Sequence, residues 1–263
     1  MALHFLVDDA HLSRVGGDLS STAESALRGT AADAQPGDTV VITGAEAHHA
    51  AVVRRVRVGE EVTVGDGAGL WLTGTVGAVA PKRVVVTVTA RAERPAAAVR
   101  LVLVQALAKG DRDELAIQAA TELGIDEIVP WQAARSVSRW SGDKIAKGVA
   151  RWRTIVREAA KQAHRAWVPG VTDPVTIIEL ARLAQTVRVL VLEPTASVAL
   201  TAVSFDEAEV VLVVGPEGGI APDELQTLTD AGAVLVRLGD TVLRTSTAGP
   251  AALSVVNARL GRW

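Results

Sequence analysis

The sequence predicts an α/β protein in two parts: a small β module over about the first 90 residues, then a larger domain in which strands alternate with helices. Three observations carry this. Short runs rich in β-branched residues crowd the first third, at Leu3–Val7, Thr39–Thr43, Glu61–Gly65, Leu70–Ala78 and Arg83–Thr89. After Glu93-Arg94-Pro95-Ala96-Ala97 the pattern changes to apolar strands separated by helical spacing, the signature of a parallel sheet. The chain has 263 residues, 49% of them hydrophobic and 22% charged, which suffices for a large core and is too apolar for a disordered chain.

In the first part, Val84-Val85-Val86-Thr87-Val88 gives the strand pattern, and Gly65-Asp66-Gly67 is a turn between two of the runs. Ala45–Arg57 reads as a short helix and Ser20–Gly37 as a loop, and the whole reads as a small barrel. In the second part, Val99–Val104 is a buried-type strand, and Asp113–Leu123 is a helix carrying Leu115, Ala119, Ala120 and Leu123 on its apolar side. Ile125–Val129 is a strand, Lys144–Trp167 a long basic helix and Ile177–Ala184 another helix. Arg188–Leu192, Val210–Val214 and Ala233–Leu238 are apolar strands of the kind covered on both faces. Asp223–Ala231 and Thr247–Leu260 are helices between and after them. The expected domains are therefore 1–94 and 95–263.

Composition narrows the chemistry. The chain has no cysteine, which excludes disulfides, thiolate nucleophiles, iron–sulfur ligation and Cys-containing zinc sites. It has no tyrosine either, so aromatic platforms for stacked bases have few candidates. Adjacent His48 and His49 point in different directions on any regular element, and no metal is expected. The longest uncharged run, Gly67–Pro81, falls short of the ~18 residues a spanning helix needs, and the N-terminus lacks a basic signal region. No membrane association is expected, and the location expected is the cytoplasm.

Net charge is −3, but it is unevenly distributed. Between Arg135 and Arg165 the balance is +7, against −10 for the remainder. A local basic patch on an acidic protein suits RNA, because neutralising nearby phosphates matters more than total charge. Arg135, Arg139, Lys144, Lys147, Lys161 and Arg165 are the candidate contacts there, with Arg54, Arg55 and Arg57 in the first part.

Two loops after strands are placed for ligand chemistry. Gly215-Pro216-Glu217-Gly218-Gly219 follows Val213-Val214, and its glycines permit close backbone approach. The spacing is neither a dinucleotide fingerprint nor a phosphate loop, which sets aside a nicotinamide-dependent dehydrogenase. Leu238-Gly239-Asp240-Thr241-Val242-Leu243-Arg244-Thr245-Ser246-Thr247-Ala248 ends a strand and opens an apolar helix. Its hydroxyls and free N–H groups suit a polar ligand, although Ser246 or Thr247 also reads as a plain N-cap. A third segment, Lys109-Gly110-Asp111-Arg112, opens the helix ending in Thr121-Glu122-Leu123-Gly124. Asp111 reads as an N-cap, and Glu122 sits unfavourably at a helix C-terminus, which points to a specific partner.

With these segments in order, the chain resembles the bacterial 16S ribosomal RNA uridine-N3 methyltransferases (RsmE-like) of the SPOUT superfamily. The resemblance runs from His48-His49 and Val53-Arg54-Arg55-Val56-Arg57-Val58-Gly59 through Lys109-Gly110-Asp111-Arg112, Gln118 and Thr121-Glu122-Leu123-Gly124. It continues through Arg135, Gln162, Arg165 and Pro169 to Gly215-Pro216-Glu217-Gly218-Gly219 and Leu243-Arg244-Thr245, the most specific matches. It implies an N-terminal PUA-like β-barrel that binds RNA, and a C-terminal SPOUT α/β domain with a deep trefoil knot. It also implies a homodimer, S-adenosylmethionine as cofactor and 16S rRNA of the small ribosomal subunit as substrate. The donor would be held by Leu192, by Gly215, Pro216, Glu217, Gly218 and Gly219, by Leu238 and Gly239, and by Leu243, Arg244, Thr245, Thr247 and Ala248. Departures are Asp240 and Thr241 where members commonly carry Pro-Arg, Ser246 and Lys161 in place of Glu, and Trp167 in place of Arg.

Uracil N3 is an imide flanked by two carbonyls, a poor nucleophile until its proton leaves. The site must position it in line, accept a proton and stabilise the anion. Arg112 and Arg165 are the candidates for holding phosphate or the uracil carbonyls, and Glu122 for orienting one of them; no residue stands out as general base. The alternatives are a ribose 2′-O-methyltransferase of the same superfamily and a non-catalytic RNA-binding assembly factor.

Overall fold

A computed structural model describes residues 2–7, 12–15 and 27–263. The chain divides into two compact units, one of Met1–Ala96 with His164–Val168, the other of Ala97–Ala163 with Pro169–Trp263. Five residues that the sequence reading placed in the second domain, His164–Val168, thus count with the first unit.

The first unit contains strands β1 (Leu3–Leu6), β2 (Leu12–Val15), β3 (Leu27–Thr30), β4 (Thr39–Ile42), β5 (Glu61–Gly65), β6 (Leu70–Ala80) and β7 (Arg83–Glu93). They form one sheet in the order β1-β5-β6-β7-β4-β2-β3, with only the β1–β5 pair parallel among the recorded pairs. Alternate residues of the long β6–β7 hairpin, among them Leu70, Leu72, Val76, Val84, Val86 and Val88, point into a core shared with Phe5, Val40, Ile42, Val62 and Val64. At Gly74 the two strands come so close that an added Cβ would lie 2.5 Å from the Thr87 carbonyl oxygen.

Two expectations change in this unit. The expected loop Ser20–Gly37 lies outside the described residues up to 26, as does His11; from Leu27 it holds β3 and a 3-10 turn at Ala31–Asp33. β2 and β3 span four residues each, too short for periodicity to reveal. The helix expected over Ala45–Arg57 is α1 (Gly44–His48) followed by a wider π-type turn, His49–Val53. Arg55, at φ +52°, then turns the chain so that Val56 reaches the core.

In the second unit, β8 (Arg100–Ala106), β9 (Glu127–Trp131), β10 (Gly170–Val171), β11 (Arg188–Leu192), β12 (Val198–Ala199), β13 (Glu209–Val214) and β14 (Val234–Arg237) alternate with helices. The helices are α2 (Arg112–Glu122), α3 (Asp143–Gln162), α4 (Ile177–Ala184), α5 (Pro222–Asp230) and α6 (Thr245–Arg259). The sheet order is β10-β9-β8-β13-β11-β14-β12, and its recorded pairs are all parallel. That alignment puts every strand's carboxyl end on one edge. The α/β class is as the alternation of elements predicts. One face of the sheet packs Val102, Val104, Val189, Val191, Val211 and Val213 against α4 and α5 through Leu180 and Leu228.

α3 ends at Gln162 rather than at Trp167. Ala163 caps it and His164 takes φ +52°, which terminates the α-helical ladder. Trp167 instead pairs with Ala68 as an isolated bridge, and its Nε1 donates to the Arg94 carbonyl at 2.8 Å. Within the first unit, His4 is a packed core residue, stacked on Trp71 at 4.2 Å with Nδ1 2.9 Å from Thr63 Oγ1.

Candidate functional site

A cavity of about 410 Å³ opens at the carboxyl ends of three neighbouring strands, β13, β11 and β14. That edge is where open parallel sheets hold ligands, and the volume suits a small molecule. From β11 come Leu192, Glu193 and Pro194; from β13 come Val214, Gly215, Pro216, Glu217, Gly219 and Ile220. From β14 and the turn after it come Val236, Arg237, Leu238, Thr241, Val242 and Leu243, and Arg244, Thr245 and Ala248 close the wall at the start of α6.

Each loop is fixed by specific contacts. A Cβ at Gly215 would lie 2.6 Å from Ile220 Cγ1, so the β13 loop folds back on itself only without a side chain there. The loop closes as a turn, with Gly219 N–H donating to Pro216 O at 2.9 Å. Arg135 Nη1 donates to Gly218 O at 3.1 Å, and Glu224 accepts from Ala134 N and Ala221 N, joining the 134–135 segment to α5. On the other loop, Asp240 pairs with Arg237 at 2.7 Å. Thr245 Oγ1 donates to Gly215 O at 2.9 Å, linking the two loops directly.

The segment before α2 is held by two carboxylates. Glu217 Oε1 accepts from Lys109 N at 3.0 Å and from Arg112 Nη1 at 2.8 Å. Asp113, buried, accepts from Ala108 N at 3.1 Å and from Glu114 N at 2.8 Å, and burial pushes its carboxyl above the ordinary range. Burial raises Glu217 too, but its own N–H, the Lys109 N–H and the Arg112 guanidinium outweigh this and hold it below the usual carboxylate range. A carboxyl so depressed is a weak base at neutral pH, which suits holding Arg112 better than taking a proton. The linkage has a definite sign: a folded-state value below the unfolded one gives stability present above the unfolded value and lost as pH falls through the folded one. The contribution of this carboxylate to stability should therefore be constant from neutral to alkaline pH and be lost only as pH falls below about 4.3, the ordinary Glu range. Glu217→Gln should remove that part of the acid limb, and thermal melting against pH measures it. An unchanged acid limb in the variant would refute the assignment.

Of the residues expected to hold a ligand, Leu192, Gly215, Pro216, Glu217, Gly219, Leu238, Leu243, Arg244, Thr245 and Ala248 line the cavity. Gly218, Gly239 and Thr247 do not; Gly218 turns its carbonyl to Arg135, and Thr247 N–H bonds to Arg244 O within the first turn of α6. Residues 193, 194, 236 and 237 join the wall from outside the two expected loops, because strand packing decides which neighbours of a loop face inward, and Val214, Ile220, Thr241 and Val242 join it from within or beside those segments. Asp111 does occupy the N-cap of α2, without a side-chain cap bond, whereas the N-cap of α6 is Arg244 and not Ser246 or Thr247.

Arg112 reaches the cavity, but its carboxylate partner is Glu217 and not Glu122. Arg112 and Glu122 stand at opposite ends of α2, about 15 Å apart at helical rise. Glu122 accepts from Gln118, one turn earlier, at 3.4 Å. Arg165 belongs to the first unit, half-buried. Lys161 does not lie on the exposed basic face: it is buried, with Nζ 3.0 Å from Glu158 Oε2, because position 161 falls on the stripe of α3 that packs through Val149, Trp152, Val156 and Ala160. Arg135, Arg139, Lys144 and Lys147 are exposed on the second unit, and Arg54, Arg55 and Arg57 on the first. Among the described residues, no group of three or more metal-ligating side chains is found, and no helix is long and apolar enough to cross a membrane.

A parallel α/β unit with a glycine-loop cavity at its strand ends, its loop tied to Arg135, defines a small-ligand site on an enzyme-like scaffold. Residues 95–257 match the model of an RNA methyltransferase domain, and residues 42–89 match that of an RNA methyltransferase PUA domain. The ribosomal RNA small subunit methyltransferase E of Mycobacterium bovis is 45% identical over 86% of this chain and 89% of its own. A methyltransferase of Legionella pneumophila, solved with the cofactor SAM, superposes with TM-score 0.80 at 27% identity, covering 98% of both chains. The ribosomal RNA small subunit methyltransferase E of Neisseria gonorrhoeae, bound to S-adenosyl methionine, gives TM-score 0.76 at 27% identity, covering 86% of this chain and 94% of that one. The chain belongs to the RNA methyltransferase family of these small subunit methyltransferases E.

Proposed function

We propose that this chain transfers a methyl group from S-adenosylmethionine to N3 of a uridine in 16S ribosomal RNA of the small ribosomal subunit. The observation that carries the reading is the cavity at the ends of β13, β11 and β14, in a family whose solved members hold this cofactor. The residues present fit the group. Leu192, Ile220, Leu238 and Leu243 offer apolar wall for a base, the glycine at 215 keeps the floor clear of a Cβ, and Glu193 with the loop backbones supplies polar partners. S-adenosylmethionine, when bound, supplies an electrophilic methyl on a sulfonium.

Arg112, aimed by Glu217, and Arg165 hold RNA phosphate or the uracil carbonyls and so favour the N3 anion; the orienting role expected of Glu122 passes to Glu217. Arg135, Arg139, Lys144 and Lys147, with Arg54, Arg55 and Arg57 on the other unit, track phosphates, as their exposure supports. The reading extends to a PUA-like barrel for residues 1–94, a SPOUT domain with a deep trefoil knot for residues 95–263, a homodimer and a cytoplasmic location, all supported by the family membership.

Nucleoside mass spectrometry of 16S rRNA tests it. Deleting the gene should remove 3-methyluridine, and wild type but not Arg244→Ala should restore it. Unchanged 3-methyluridine would sink the reading. Loss of an alkali-resistant nucleotide would instead mark a ribose 2′-O-methyltransferase, and bound RNA without either modification an assembly factor.

A further inference from the structure

β8 reads Arg100-Leu101-Val102-Leu103-Val104-Gln105-Ala106, and after its exposed first residue Gln105 is its one polar side chain. The strand is central, between β9 and β13, and Gln105 is fully buried, in register with Val214 at the end of β13. Its Nε2 donates to Thr245 Oγ1 at 3.0 Å and to Ala106 O at 3.1 Å. Thr245 Oγ1 in turn donates to Gly215 O at 2.9 Å. A hydroxyl carries one proton, so with that proton on Gly215 O it can only accept from residue 105, which fixes the amide's orientation. The reverse orientation would set Oε1 against the Ala106 carbonyl and break the link to Gly215.

Gln105 Oε1 is buried and has no hydrogen-bond partner among the described residues. Leaving a buried acceptor unsatisfied is unfavourable, so a leucine of similar volume would serve the core better. Local rules broken at a stability cost are characteristic of functional sites. Here the amide lies directly behind the two loops that face each other across the cavity, yet does not line it.

We propose that Gln105 is a positioning residue of the donor pocket: through Thr245 it locks the first turn of α6 onto the Gly215 carbonyl and so sets the separation of the two loops. The proposal deepens the reading of this cavity as the S-adenosylmethionine site and rests on it. Gln105 touches neither donor nor RNA; it acts by holding Thr245 and Gly215 in one arrangement before the ligand arrives, and a displaced wall loses affinity steeply.

The test uses the full chain with Gln105→Leu, and Gln105→Met as an unbranched second variant should leucine fail to fold. Calorimetric Kd for S-adenosylmethionine without RNA should rise about tenfold. The KM for RNA should stay as in wild type and the melting temperature should hold or rise, a split that a general packing defect would not give. Amide hydrogen exchange in the ligand-free protein should quicken at residues 215–219 and 245–248 only. Combining Gln105→Leu with Thr245→Val should cost no more than Thr245→Val alone, since both cut one relay. An unchanged Kd with unchanged exchange, or additive effects, would overturn the proposal. A wild type that binds no S-adenosylmethionine would overturn the pocket reading instead, and the exchange pattern would still decide whether the relay exists.

Discussion

Gly215→Ala is expected to weaken S-adenosylmethionine binding by about 10- to 100-fold while the protein stays folded. The added Cβ would sit 2.6 Å from Ile220 Cγ1 and 3.4 Å from the Ile220 backbone N. Ile220 is 5% exposed and packs in the core that contains Trp131, Val191 and Val213, so it can yield only toward the cavity it lines. The strain therefore moves either the turn or Ile220, and both reshape the cavity. Overpacking of this kind costs about 1–3 kcal/mol, and each 1.4 kcal/mol is about tenfold in affinity. Titration calorimetry reads the binding and circular dichroism the fold. A variant that bound as tightly as wild type would show that this backbone approach is not what shapes the pocket.

Trp152→Ala is expected to destabilise the second unit by about 3–5 kcal/mol, the usual range for deleting a fully buried tryptophan. Trp152 is 1% exposed on the inner side of α3, and Trp140 meets it edge-on at 5.2 Å between ring centres. Trp140 also lies over Gly148, where a Cβ would come 2.5 Å from its Cε2, so helix and preceding loop interlock around the two indoles. Removing Trp152 unseats both the exposed face bearing Lys144 and Lys147 and the loop bearing Arg135 and Arg139. Thermal melting should fall by about 6–20 °C, taking 2–4 °C per kcal/mol for a unit of this size. RNA affinity should fall with it. A shift of under a degree would mean that α3 is anchored by other contacts.

Much of the scaffold was legible because its causes are local. The strands Glu61–Gly65 and Arg188–Leu192 and the helix Ile177–Ala184 lie where their own periodicity predicts. For the helix, the Thr176–Glu179 capping box fixes the start, with the Glu179 carboxylate held below its ordinary range by the Thr176 backbone and hydroxyl. The two ligand loops were legible for a related reason. A glycine run or a hydroxyl run between an apolar strand and an apolar helix breaks the pattern of its surroundings, and nine of the residues expected from the two loops, with Leu192 as a tenth, line one cavity. The elements that escaped are β2, β3, β10 and β12, spans of two to four residues in which no period can repeat.

The sequence by itself determined the class of fold, the alternation that makes the second sheet parallel and the loops that end at its ligand edge, because these follow from the residue pattern within each element. Only the tertiary structure decided who partners whom. Glu217 meets Arg112 across 105 positions and Gln105 meets Thr245 across 140, separations over which sequence spacing carries no information on contact. It also decided which face each charge occupies: Lys161 sits in a run of basic residues, yet the turn of α3 that seats Trp152 carries it inward. A side chain's composition sets what it can do, but burial and the neighbour it meets set what it does, and both are properties of the packed chain.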